Sequence, residues 1–208
     1  MDLARLVRGR RMTRRFRPDT VVPDDIVLDL LDLAGRAPSA GFSQGWEYVV
    51  LRAPHERELF WAAATPPAAA ATGDDWLAGV RAAPVLVLAY ADEPAYRARY
   101  AEPDKARPGA DPSDQDWPVP YWLTDTAMGV MLLLLGAREA GLDALFFGVP
   151  GSQHGAVSKA LGVPDGLALV GVIALGHEEQ RVGGSARTRP RRTVEQFTHW
   201  GAFGAPRA

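Results

Sequence analysis

Two continuous apolar runs, 84–91 (PVLVLAYA) and 167–175 (LALVGVIAL), restrict this chain more than any other feature. Both have the length of a strand and lack the polar alternation of a half-solvated one, so each predicts a central strand of a sheet covered on both faces. Segment 121–140 is apolar on nearly every side of a helix, which predicts burial in a core or a subunit interface, with Gly141 setting its end. Pro23, Asp24 and Asp25 open another helix. Ile26, Val27, Leu30, Leu31 and Ala34 recur there at helical spacing, and Pro38 forbids continuation. Pro54 starts a further helix, 152–161 suits a short one, and 46–51 and 144–149 read as strands. This mixture implies an α+β or α/β layered arrangement, and 208 residues suit one domain over 1–208.

Two stretches carry no clear period. The alanine-proline stretch 62–71 reads as a loop or frayed helix. Segment 92–120 holds Tyr96, Tyr100, Trp117 and several prolines, and an irregular stretch of that length inside a domain reads as a lid.

Composition removes several classes of function. The chain has no cysteine, which rules out disulfides, thiolate metal sites and a cysteine nucleophile, and fits a reducing cytoplasm. Residues 1–17 hold seven arginines and one acid, unlike a secretory signal, and the most apolar stretch is too short and polar to span a bilayer. The net charge of −2 is unevenly spread: +6 over 1–17, −13 over 18–180 and +5 over 181–208. Basic tails on an acidic body fit solvated arms, a nucleic-acid footprint or two halves of a site for a small anion. The only lysines, Lys105 and Lys159, lie outside the tails, so arginine, suited to bidentate phosphate contacts, dominates there.

Gly41, Ser43 and Gly45 match the G-x-S-x-G elbow of serine hydrolases, with Ser43 as nucleophile and His154, His177 or His199 as base. That motif needs a strand before the serine and a helix after it, whereas here the order is reversed. The histidines show no paired metal-ligand spacing, and neither G-x-G-x-x-G nor a Walker loop occurs.

Three signals remain: Arg10 to Phe16 (RRMTRRF), Ala37 to Trp46 (APSAGFSQGW) and Arg189 to Arg192 (RPRR). Singly each has a plain explanation, respectively a basic face on an N-terminal helix, a helix stop with a turn, and a basic tail. In this order they resemble the FMN-binding nitroreductase family, over nearly the whole chain. Arg10, Arg11, Arg14 and Phe16 match its opening motif, Pro38, Ser39, Ser43, Gln44 and Trp46 its second, and Arg189 with Arg191 its closing basic pair. Residues 141–148 (GLDALFFG) look like its strand beside the flavin. Met12 replaces the usual serine, Phe42 the usual asparagine and Gly45 the usual proline, and the loss of the two polar side chains implies fewer side-chain hydrogen bonds to the ribityl chain or ring, with backbone groups doing more.

The resemblance implies a nitroreductase-like three-layer α+β fold with a central mixed sheet, an intertwined homodimer, and an NADH- or NADPH-dependent oxidoreductase working through FMN in ping-pong fashion on a nitroaromatic, a quinone or a related acceptor. Arg10, Arg189 and Arg191 would surround the FMN phosphate, and Arg14 would stabilise negative charge on the reduced ring. Arg11 and Met12 would line the ribityl side, Phe147 and Gly148 would flank the ring, and Pro38, Ser39 and Ala40 would reach the ring of the other subunit. Phe42, Trp117, Tyr121 and Trp122 are the candidate substrate contacts, and no protein acid or base is obligatory. A flavin-binding protein without turnover and a nucleic-acid-binding protein are the rival readings.

Overall fold

A computed structural model describes residues 2–66, 74–105, 117–184 and 188–207. Its centre is a four-stranded sheet in the order β1-β2-β4-β3, with β1 Trp46–Leu51, β2 Val85–Asp92, β3 Asp143–Phe147 and β4 Leu167–Gly176. The two apolar runs are the inner strands, as their composition requires. All three pairings are antiparallel, so the described sheet is antiparallel where a mixed one was expected, and an isolated parallel bridge joins Met12 to Ala144 at the β3 edge.

Strand alternation sends successive β2 side chains into different layers. Val85, Val87 and Ala89 face α2 (Asp24–Ala34) and α6 (Tyr121–Glu139), joining Val27, Leu30, Val130 and Leu133. Leu86, Leu88 and Tyr90 face the other way, into a core with Phe60 and Trp61 of α3 (Pro54–Ala64), Val80 of α4 (Asp75–Arg81) and Val157 of α7 (His154–Ala160). Each fully buried Leu or Phe contributes roughly 1.5–3 kcal/mol, so a sheet filled on both sides is the main source of stability.

The packing of α2 on α6 depends on glycine. A Cβ at Gly129 would lie 2.7 Å from the Tyr48 hydroxyl and 3.0 Å from the Ala34 carbonyl, and one at Gly136 would lie 2.6 Å from Leu33. The two helices therefore approach closely enough that a side chain at either glycine would force its neighbours to shift, and Gly141, at φ 77°, closes α6.

Two readings change. Segment 92–120 is not irregular at its start: α5 (Glu93–Tyr100) follows β2 directly, started by Asp92, whose side chain accepts from the Ala95 amide, and by Pro94 in its first turn. Residues 106–116 of the expected lid and 67–71 of the alanine-proline stretch lie outside the described residues, while Ala62 to Ala64 close α3. The N-terminal arginine motif is not a helix face, because α1 (Leu3–Gly9) ends before it and Arg10 is extended.

Candidate functional site

From Met12 to Arg17 the chain runs as an added edge. The Thr13 amide donates to the Ala144 carbonyl at 2.9 Å, and the Phe146 amide donates to the Met12 sulfur at 3.4 Å. Phe16 is fully buried and bridges to Glu178, while Arg17 and Arg15 pair with His177 and Glu179 through their backbones. Arg11 adds an ion pair to Glu178 at 2.8 Å. The segment that leaves β4 toward the C-terminal tail is thus fastened to the N-terminal motif. The Arg14 guanidinium donates to the Met12 carbonyl at 3.0 Å and lies under Gly184, where a Cβ would come within 2.5 Å of it.

Arg10 stands apart electrostatically. Its Nε and Nη1 are buried without a hydrogen-bond partner among the described residues, in a small cleft lined by Gly9, Arg11, Arg138 and Asp143. A buried cation left unpaired is unfavourable, and an anion with several acceptor oxygens, such as a phosphate, supplies what is missing.

At the far end of β3 lies a cavity of about 210 Å³, walled by Trp61, Trp76, Phe147, Gly148 and Pro150. The Phe147 ring stacks on Trp61 at 5.7 Å and meets Trp76 edge-on, so its side chain belongs to the wall, and Gly148 opens onto free space. Trp61 and Trp76 escaped the sequence reading because nothing in their spacing separates a cavity aromatic from a core one.

A second cluster gathers at the start of β1. The turn containing Pro38, Ser39 and Ala40 ends in a short 3-10 helix, Ala40–Phe42, with Gly41, Phe42 and Gln44 at φ 64°, 56° and 52°. Asp125, buried in α6, accepts from the Ala40 amide at 2.8 Å and from the Tyr96 hydroxyl at 2.7 Å. Ser39 shares a hydrogen bond with Tyr96 at 3.2 Å and accepts from the Gln44 amide at 2.8 Å. Burial holds the Tyr96 hydroxyl well above the usual tyrosine range, and the Asp125 carboxylate pushes the same way, against the Ser39 bond. The Gly41 carbonyl accepts from Arg99, which Asp104 grips. Phe42 projects outward, 74% exposed.

The expected substrate aromatics belong here, but mostly as packing. Trp117 meets Tyr96, Tyr100, Tyr121 and Trp122 edge-on, and Trp122 also packs on Tyr96. Gly45 also finds its reason: a Cβ there would lie 2.6 Å from the Tyr96 ring, which no proline ring could clear.

The two clusters occupy opposite edges of the sheet. The first lies along β3 and the second before β1, with β2 and β4 between, so the strands that bear them are three spacings apart, about 14 Å. Arg189 and Arg191 are exposed in the tail, and no described contact brings them to Arg10. The same tail exposes Phe197, Trp200 and Phe203. Ser43 donates to the Ala40 carbonyl, with helix before and strand after it, so no hydrolase elbow forms. No metal-binding group occurs among the described residues, and no helix among them is long and apolar enough to cross a membrane.

Residues 7–177 match the sequence model of the Nitroreductase family. A protein of Archaeoglobus fulgidus designated as an NADH dehydrogenase/NAD(P)H nitroreductase is 25% identical over 178 residues, 85% of each chain. In fold, the chain is similar to a nitroreductase solved with FMN from Exiguobacterium sibiricum, at a TM-score of 0.72 and 19% identity over 96% of this chain and 97% of that one. It is also similar to a nitroreductase-like protein of Streptococcus mutans, at a TM-score of 0.71 and 23% identity over 95% and 97%. With the three-layer architecture and the sequence match in agreement, the chain belongs to the nitroreductase family.

Proposed function

We propose that this protein is a homodimeric, cytoplasmic FMN oxidoreductase whose two sites each combine the Arg10–Gly148 edge of one copy with the Pro38–Phe42 turn of the other. Membership of the family makes it an NAD(P)H-dependent oxidoreductase that works with FMN. The observation that carries the two-copy reading is the division just described: two sets of family residues, each incomplete, on opposite sheet edges.

The arginine edge fits the cofactor. Arg10, with its unpaired buried nitrogens, would hold the phosphate together with Arg189 and Arg191 from a tail whose exposed aromatics suit a second copy. Arg14, fixed by the Met12 carbonyl and Gly184, would place its charge at the pyrimidine edge, where it needs no reorganisation as negative charge develops. Arg11 is half committed to Glu178, so Met12 and backbone groups would carry more of the ribityl contact. Phe147 and Gly148 would flank the ring, with Trp61 and Trp76 behind them, and Pro38, Ser39 and Ala40 would cover it from the other copy. Phe42 and Tyr121, the more exposed rings of the second cluster, would meet the acceptor, with Trp117 and Trp122 as their support.

Bound FMN supplies hydride transfer between NADH or NADPH and a small acceptor such as a quinone or nitroaromatic, in alternating half-reactions. The protein binds, orients and excludes water. The test is the visible spectrum of the purified protein followed by steady-state NADH and NADPH oxidation with a quinone and a nitroaromatic. Flavin bands and turnover support the reading. Flavin bands without turnover leave a binding protein, and a colourless protein indifferent to FMN that binds duplex DNA in a salt-dependent way supports the nucleic-acid reading.

A further inference from the structure

Within the second cluster, one buried carboxylate organises the turn. Asp125 sits on α6 at 3% exposure and takes two hydrogen bonds from outside its own helix, the Ala40 amide and the Tyr96 hydroxyl. Tyr96, fully buried, lies within hydrogen-bond distance of Ser39 as well, so one carboxylate and one phenol clamp two consecutive residues of the turn. The turn needs such a clamp. Its left-handed conformations at Phe42 and Gln44 are unfavourable for residues with side chains and persist only where the surroundings over-determine them. Neither Asp125 nor Tyr96 belongs to any motif read from the sequence, and both stand behind the turn, not at its exposed face.

We propose that Asp125 and Tyr96 are positioning residues of the oxidoreductase: together they fix the Ser39–Ala40 turn, and with it Phe42, in the one conformation that meets the site of the second copy. This rests on the two-copy reading above. The carboxylate transfers no proton to substrate. It acts through the Ala40 amide and the Tyr96 hydroxyl, and its loss frees the turn to relax toward right-handed backbone.

The test uses full-length, FMN-loaded protein carrying Tyr96→Phe or Asp125→Asn. Tyr96→Phe keeps the ring packing on Trp117 and removes only the hydroxyl, so folding survives. Measured are visible circular dichroism of the bound flavin, KM and kcat for a quinone acceptor, FMN affinity by fluorescence, and Tm. The expected result is an altered flavin dichroism and a KM raised about tenfold, with FMN affinity within about threefold of wild type, since the phosphate grip lies on the other edge. A lowered Tm with unchanged dichroism and KM in the folded protein would reduce the pair to a structural role and overturn the proposal. Wild-type protein that takes up no FMN would overturn this and the functional reading together, whereas normal wild-type turnover with unaffected variants would overturn this alone.

Discussion

Arg11 reaches Glu178 through a 2.8 Å ion pair, so residues 167 positions apart in sequence hold the arginine motif against the root of the C-terminal tail. The backbone pairing of Arg15 and Arg17 with Glu179 and His177 surrounds that contact and carries most of the attachment. Because Arg11 is 40% exposed, Glu178→Gln is expected to lower stability by no more than about 1 kcal/mol, an effect that shrinks further at high salt. Urea titrations at low and high ionic strength check this.

Arg10 separates stability from binding. Two of its guanidinium nitrogens, Nε and Nη1, are buried without a hydrogen-bond partner among the described residues, so Arg10→Ala is expected to leave the cofactor-free protein at least as stable as wild type. FMN affinity should fall by about 1.5–3 kcal/mol, roughly 10- to 150-fold, the worth of a charge-assisted contact. Calorimetric melting of the apoprotein and fluorescence titration with FMN read the two effects independently.

Phe42 occupies φ 56°, a conformation that asparagine tolerates and phenylalanine resists. Phe42→Asn should therefore raise stability by about 0.5–1 kcal/mol while changing acceptor preference through loss of the exposed ring. Melting temperature and kcat/KM for a nitroaromatic against a quinone report on the two parts.

Burial raises the Tyr48 hydroxyl from the usual 10.0 to about 12, and that hydroxyl has no hydrogen-bond partner among the described residues. The fold favours the neutral phenol, so the stability this adds is whole below pH 10 and is lost as pH rises through 10 toward about 12. Tyr48→Phe should flatten that alkaline decline and be neutral or slightly stabilising at pH 7, since an unpaired buried hydroxyl is removed. Denaturant melts from pH 8 to 12 decide the matter.

Gly129 packs against the Ala34 carbonyl and the Tyr48 hydroxyl, and Gly129→Ala is expected to force α2 and α6 apart at about 1–3 kcal/mol. Pairing it with Tyr48→Phe, which removes the nearer obstacle, should recover part of that loss. Additive effects in the double variant would argue against this packing.

The inner strands were legible because a run such as PVLVLAYA has no polar face to offer solvent, and α2 and α6 because their apolar spacing and their proline and glycine limits agree. The short α5 was hidden. Its few turns carry one glutamate and two arginines and bury only Tyr96, so no apolar stripe announces it. Of the site, the arginines and the small-residue turn were visible as motifs. Asp125 was not, since one acid in a long apolar helix shows its purpose only when Ala40 and Tyr96 fold onto it from distant segments. Trp61 and Trp76 were hidden for a different reason: a cavity wall and a core have the same composition.

The most direct test of the two-copy site is subunit complementation. Arg10→Ala damages one half and Pro38→Trp, at an exposed position of the turn, blocks the other. At an FMN concentration that fills wild-type sites but leaves those of the Arg10→Ala protein largely empty, each alone should be nearly inactive, and co-refolding them in equal amounts should restore about a quarter of wild-type turnover, because half of the dimers then carry one intact site in two. A mixture no more active than its components would mean that both halves serve a site within a single chain, and would contradict the account.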